Sequence, residues 1–190
     1  MAISAAWAAR SANATISGDD WFVISASGVR TTNSGGGALF GTLNYASSNA
    51  FSTSFGTYTV GWSGGTPTAS GTVKGGQYFY SSGGLGCYLT IAVPATAVQI
   101  KVYTTLAGST TSAFVCTATL SAGASGSASA LHTSMGDGLI TIDVTAGASA
   151  TLTIALDASD GGYNCLQGMS IAAAGGGGAP AKQLLTLGAG

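Results

Sequence analysis

Between Leu85 and Leu156 apolar and polar residues alternate in successive runs. Leu85, Cys87, Leu89, Ile91 and Val93 share one phase. Val98, Ile100 and Val102 repeat the pattern, as do Phe114, Cys116, Ala118 and Leu120, then Ile140, Ile142 and Val144, then Leu152, Ile154 and Leu156. Side chains alternate faces along a strand, so period-two apolarity predicts sheets with one buried and one wet face. Pro94-Ala95-Thr96 joins the first two runs so tightly that it must be a hairpin or a corner between sheets.

The same reading extends outward along the chain. Trp21-Phe22-Val23-Ile24 follows Asp19-Asp20 as a first strand, and Gly35-Gly36-Gly37 breaks the chain before a second short strand over 38–43. Phe51, Phe55, Tyr58, Val60 and Trp62 alternate with Ser and Thr, Gly64 to Thr68 is turn-rich, and Gln77-Tyr78-Phe79-Tyr80 is an aromatic strand. Residues 121–130 are a low-complexity loop or weak edge strand, Gly136-Asp137-Gly138 signals a turn, and 165–171 form the last strand. Turn signals at this spacing predict an all-β chain, an antiparallel β-sandwich of jelly-roll-like kind, with roughly nine to ten strands. Residues 1–18 read as an N-terminal arm with a short helix through Ala5 to Ala9. The sandwich spans 19–172. Residues 173–190 are a Gly-rich linker and an apolar tail, Lys182-Gln183-Leu184-Leu185-Thr186-Leu187.

Composition changes this picture in one respect. Apolar residues make up 46% of the 190, enough for a core, but charged residues only 6%, against about 25% in ordinary domains. The bases are Arg10, Arg30, Lys74, Lys101 and Lys182; all six acids are Asp, and the formal net charge is -1. Phosphate binding needs clustered Lys and Arg, so no nucleic-acid footprint is present, and no polybasic membrane patch. No apolar run reaches the roughly 18 residues of a membrane span. The first residues, MAISAAWAARSANA, end like a signal-peptidase site but lack a basic start, and Arg10 interrupts the apolar run, which argues against a secretory signal. A nearly neutral surface is either tolerated as such or covered by neighbouring subunits; the second reading is preferred, because burying Ser and Thr costs far less than burying ions.

Candidate chemistry is sparse. His132 is the only histidine; Ser134 and Asp137 lie near it in sequence, but no nucleophile elbow precedes them. No two of the Asp residues are marked out as a glycosidase pair. No catalytic or metal site is assigned and no cofactor is expected. Asp157 to Asn164 is the best calcium candidate, although a polar turn explains it equally. Cys87, Cys116 and Cys165 are odd in number and widely spaced, so buried free thiols are expected, with one disulfide as the alternative. Trp7, Leu184, Leu185 and Leu187 are apolar groups outside the sandwich; a neighbouring subunit is the natural place to bury them, with the chain's own domain as the alternative for Trp7 and a disordered end as the alternative for the three leucines. Tyr88 and Tyr103 fall out of phase with the apolar positions of their strands; core packing or an oligomer contact is the preferred reading and exposed sugar-stacking rings the alternative.

From Asp19 to Ile171 the chain resembles the Ser/Thr/Gly-rich jelly-roll modules of phage virion proteins and bacterial surface proteins. The resemblance rests on Asp20-Trp21, Gly35-Gly36-Gly37, the run Val60 to Pro67, Val93-Pro94-Ala95, Ile100 to Tyr103, and Ala118 to Ser121. It implies a sandwich used for attachment or assembly and transfers no active-site residue. A short chain starting at its own Met favours a stand-alone virion component. The expectation is therefore a non-enzymatic structural protein, a phage capsid decoration or cement protein contacting the major capsid protein and its own copies. A carbohydrate-binding or adhesion module is the alternative.

Overall fold

The computed structural model describes residues 1–25, 30–33, 39–46, 48–80, 84–107, 114–121, 125–145, 147–158 and 163–174. The strands in order are β1 (Ile3–Ala9), β2 (Ala14–Thr15), β3 (Asp20–Ile24), β4 (Arg30–Asn33), β5 (Asn44–Tyr45), β6 (Ser48–Ser52), β7 (Val60–Ser63), β8 (Gly65–Thr66), β9 (Ser70–Val73), β10 (Gly76–Tyr80), β11 (Gly84–Val93), β12 (Val98–Ala107), β13 (Phe114–Ser121), β14 (Gly126–His132), β15 (Gly136–Val144), β16 (Ala150–Ala158) and β17 (Tyr163–Ala173). The chain is all-β, with no helix among the described residues.

Two sheets face each other. The main sheet runs β1-β15-β12-β17, and the far edge of β17 is shared end to end. β10 pairs along Tyr163 to Leu166 and β3 along Gly168 to Ile171. β6 continues beyond β10, and β4 and β8 beyond β3. The facing sheet runs β14-β13-β16-β11-β5. All pairings in both are antiparallel. Pro94 to Ala97 is a corner between sheets, since β11 lies in the facing sheet and β12 in the main one.

The alternating runs meet in the space between. Leu89, Ile91, Cys116, Ala118, Leu152, Ile154 and Leu156 enter from the facing sheet, and Ile100, Val102, Ile140, Ile142, Leu166, Met169 and Ile171 from the main one. A third layer covers part of the main sheet's outer side. There the small sheet β2-β7-β9 lays Val60, Trp62 and Val73, with Ile16, over Trp21, Val23 and Tyr103. β3 therefore has apolar partners on both faces, and all five of its residues are buried.

Several expectations are corrected. Residues 3–9 are neither arm nor helix: β1 pairs with β15 over its whole length, from Ile3 opposite Val144 to Ala9 opposite Gly138. A strand turns Ile3, Ala5 and Trp7 together onto the core and satisfies the exposed edge of β15, which a free helix would not. Phe40 makes only a single bridge to Ile91, so residues 39–43 are no strand. Asp137 and Gly138 lie within β15 rather than in a turn. Of the low-complexity stretch, Gly126 to Ala130 is the edge strand rather than the loop, within β14 of the facing sheet. The Gly35-Gly37 break falls outside the described residues.

Candidate interaction surface

The outer side of the facing sheet is built by the polar half of the alternating runs. Strand register arranges it in rows. Ser127, Thr119, Thr153 and Thr90 form one; Ser129, Thr117, Ala155 and Tyr88 the next; Leu131, Val115, Asp157 and Leu85 the third. Thr117 and Ser129 hydroxyls lie 3.2 Å apart, so cross-strand hydrogen bonds tie the rows together. Asp157 is the single charged side chain in these rows. Its apolar neighbours and partial burial push its carboxyl pKa above the usual range. Leu131 and Met135 are the most exposed large apolar side chains described, at 48% and 47%, and Tyr45, Leu85 and Tyr88 follow at 38–39%.

The low surface charge has a structural cause: part of the small set of charged residues is turned inward. Asp137 lies on the outer side of the main sheet, beneath the segment that leads into β7. Its carboxylate accepts from the Thr57 and Tyr58 backbone N–H groups at 2.6 and 2.8 Å and from the Thr105 hydroxyl at 2.6 Å. Arg10 pairs with it at 3.2 Å and also donates to Gln167 Oε1 and to the carbonyls of Tyr58 and Thr59. Burial pulls the Arg10 pKa down, and Asp137 opposes that pull. A second latch holds residues 39–41. Asp20 accepts from Leu39 N–H at 2.9 Å, and Arg30 donates to the Gly41 and Phe40 carbonyls while lying 4.3 Å from the Phe22 ring centre.

His132 is not a loop residue. It is fully buried on β14, with Nδ1 3.2 Å from the Thr104 hydroxyl and its ring stacked 4.9 Å from Trp7. Gly138 permits this stack, since a Cβ there would collide with the indole nitrogen and the imidazole. Burial holds the His132 pKa down at about 4. Asp137 engages Arg10, Thr105 and the backbone of 57–58, so His132, Ser134 and Asp137 do not assemble into a relay.

The other candidates distribute as follows. Trp7 closes its own sandwich at the contact between β1 and β14, so it is no plug for a neighbour. Tyr103 is buried at 5% under the small sheet, so it is not a stacking ring, whereas Tyr88 is exposed at 38%. Half-buried Phe55, Tyr78 and Tyr163 form an aromatic cluster with centroid distances of 5.1–5.4 Å. The sequence had placed the first two on separate strands and left the third in a loop. Leu184, Leu185 and Leu187 lie outside the described residues, as do 159–162 of the calcium candidate. Of its described ends, Asp157 faces out from the facing sheet and Asn164 is buried in the main one. All three cysteines are free and buried. Cys87 and Cys116 both pair with Leu156, from opposite sides. They are thus two strand spacings apart, about 9–10 Å, beyond the roughly 7 Å that a disulfide spans.

Arg10, Asp137 and Leu131 were missed as structural or surface groups. Their only sequence signal was isolation: an ion in an Ala run, an acid between glycines, a leucine after a Ser/Ala tract. No protein-family model, curated protein or solved structure matches this chain.

Proposed function

We propose that this chain is a jelly-roll structural protein of a virion, a phage capsid decoration or cement protein that binds a shell and its own copies through uncharged β surface. The observation that carries this reading is the surface itself. Buried latches absorb Arg10, Asp137, Asp20 and Arg30, and the ordered rows across β14, β13, β16 and β11 retain only Asp157. A free monomer gains nothing from so neutral a face, which lowers solubility. A subunit that must bury it does gain, because hydroxyls and methyls desolvate cheaply. The order of the last eight strands supports the jelly-roll reading: β10-β17-β12-β15 faces β11-β16-β13-β14, two interlocked Greek keys. The major capsid protein is the expected partner and the virion the expected location.

Two measurements test this. Light scattering of the purified chain across a concentration series should give a closed oligomer, and the chain should co-sediment with phage shells that lack it. A chain that stays monomeric and remains in the supernatant would sink the proposal. A second reading, a carbohydrate-binding or adhesion module, is favoured by exposed Tyr88 and by the Phe55, Tyr78 and Tyr163 cluster, since sugars stack apolar faces on rings. A glycan array probed at high protein concentration without hits would remove it.

A further inference from the structure

One side of the sandwich lacks the devices that usually protect a sheet edge. Among the described residues β14 ends the facing sheet and pairs only with β13, and β1 ends the main sheet and pairs only with β15. The two edges lie side by side, with Trp7 stacked on His132. Together they read Ile-Ser-Ala-Ala-Trp-Ala-Ala and Gly-Ser-Ala-Ser-Ala-Leu-His, each seven residues long. Neither holds Lys, Arg, Asp, Glu or Pro. Monomeric β-proteins block such edges with charges, prolines, bulges or very short strands, because unpaired N–H and C=O groups template another strand. Away from this side the last strands β5 and β8 are two residues each, while β6, beyond β10, is shorter than β1 and β14 at five residues.

A second observation falls on the same edge. Leu131, on β14, and Met135, just after it, are the two most exposed large apolar side chains described. Among the described residues both stay about half exposed.

We propose that β14 is the self-association strand of this protein, pairing antiparallel with β14 of a second copy about a twofold axis near Ser129. This rests on the assembly reading above and names its surface. The strand is self-complementary. Pairing about Ser129 sets Ser129 against itself, Ala128 against Ala130 and Ser127 against Leu131, with outward-facing residues opposite outward-facing ones, as the period of two requires. No like charges meet. The two facing sheets join into one ten-stranded sheet, and Leu131 of each copy lies over Ser127 of the other. Isologous contacts of this kind close at a dimer.

Ser129 is exposed and faces outward, so S129K and S129D each place like charges opposite one another only in the pair; each also removes the exposed Thr117–Ser129 hydroxyl contact, and a near-wild-type unfolding midpoint checks that the monomer fold is kept. Sedimentation equilibrium of the full-length chain should show each variant associating roughly fivefold more weakly than wild type. An equimolar mixture of the two should recover association as a mixed dimer. Hydrogen exchange at Ser127, Ser129 and Leu131 amides should slow with concentration in wild type and not in either variant. A wild-type chain that stays monomeric up to high concentration overturns the proposal but leaves shell binding standing, as does an oligomer indifferent to both substitutions. Weakening by each variant without recovery in the mixture also overturns it, because the twofold register would be wrong.

Discussion

Replacing Asp137 by alanine removes the acceptor at the centre of the largest buried polar network described. In the wild type the carboxylate holds two backbone N–H groups, the Thr105 hydroxyl and the Arg10 guanidinium, at 2.6–3.2 Å, and the side chains of the ion pair are 7% and 0% exposed. The substitution leaves a buried cation facing three remaining acceptors, Gln167 Oε1 and the carbonyls of Tyr58 and Thr59, without a countercharge. Removing one member of a buried pair costs about 3–5 kcal/mol. For a domain of this size that corresponds to a fall in Tm of about 10 °C. Part of the loss comes from Thr57 and Tyr58, whose amides lose the group that ties their segment to the main sheet.

Urea unfolding followed by tryptophan fluorescence measures this directly, since Trp7, Trp21 and Trp62 all lie in or beside the two cores. The R10A and R10A/D137A variants complete a cycle. The double variant should lose clearly less than the sum of the singles, because removing Arg10 also removes the stranded charge. A D137A loss below about 1 kcal/mol, or strict additivity, would refute the latch as a stabilising element. It would leave these contacts as incidental to a segment held by Val60 and Trp62 alone.

W7A should destabilise the chain by about 2 kcal/mol, because the half-buried indole packs on the core and on His132; an unchanged unfolding midpoint would return residues 3–9 to the status of an arm. His132 has its pKa lowered from 6.5 to about 4, so its contribution, about 3 kcal/mol, is fully present above pH 6.5 and is lost as pH falls toward 4. Urea midpoints against pH should show that decline in wild type and not in H132L, and parallel curves would reject it. Native protein should resist a thiol reagent at all three cysteines, since burial pushes Cys116 to about 12 and Cys87 and Cys165 upward as well; stoichiometric labelling without denaturant would contradict this. Deleting 175–190 should leave the unfolding midpoint near wild type, as the described strands end at Ala173, while weakening assembly; unchanged assembly would remove Leu184, Leu185 and Leu187 from the interface.

Where the chain has two layers, both strand and buried face were legible in the sequence; where it has three, the strand Trp21 to Ile24 was legible but its faces were not. Leu89, Ile91, Leu152 and Ile154 face one core and water, so their alternation reads directly as face and strand. In β3 the same rule fails, since Phe22 and Ile24 enter one core and Trp21 and Val23 the other, and the strand reads as a plain apolar run. Tyr103 was ambiguous for the same reason: being out of phase with Val102 means the outer face, and only the small sheet makes that face dry. In that sheet β7 and β9 are near neighbours in sequence, but β2, at Ala14, comes from more than forty residues away and is joined by tertiary pairing rather than by any local period. The edge at β14 was half legible. Ser-Ala alternation carries no hydrophobic signal, so loop and weak edge strand read alike over Gly126 to Ala130, and pairing with β13 makes it the edge strand. The residues least marked by pattern, small and uncharged, are those that leave a strand edge open, so an interface of this kind is read from what its edge strands lack.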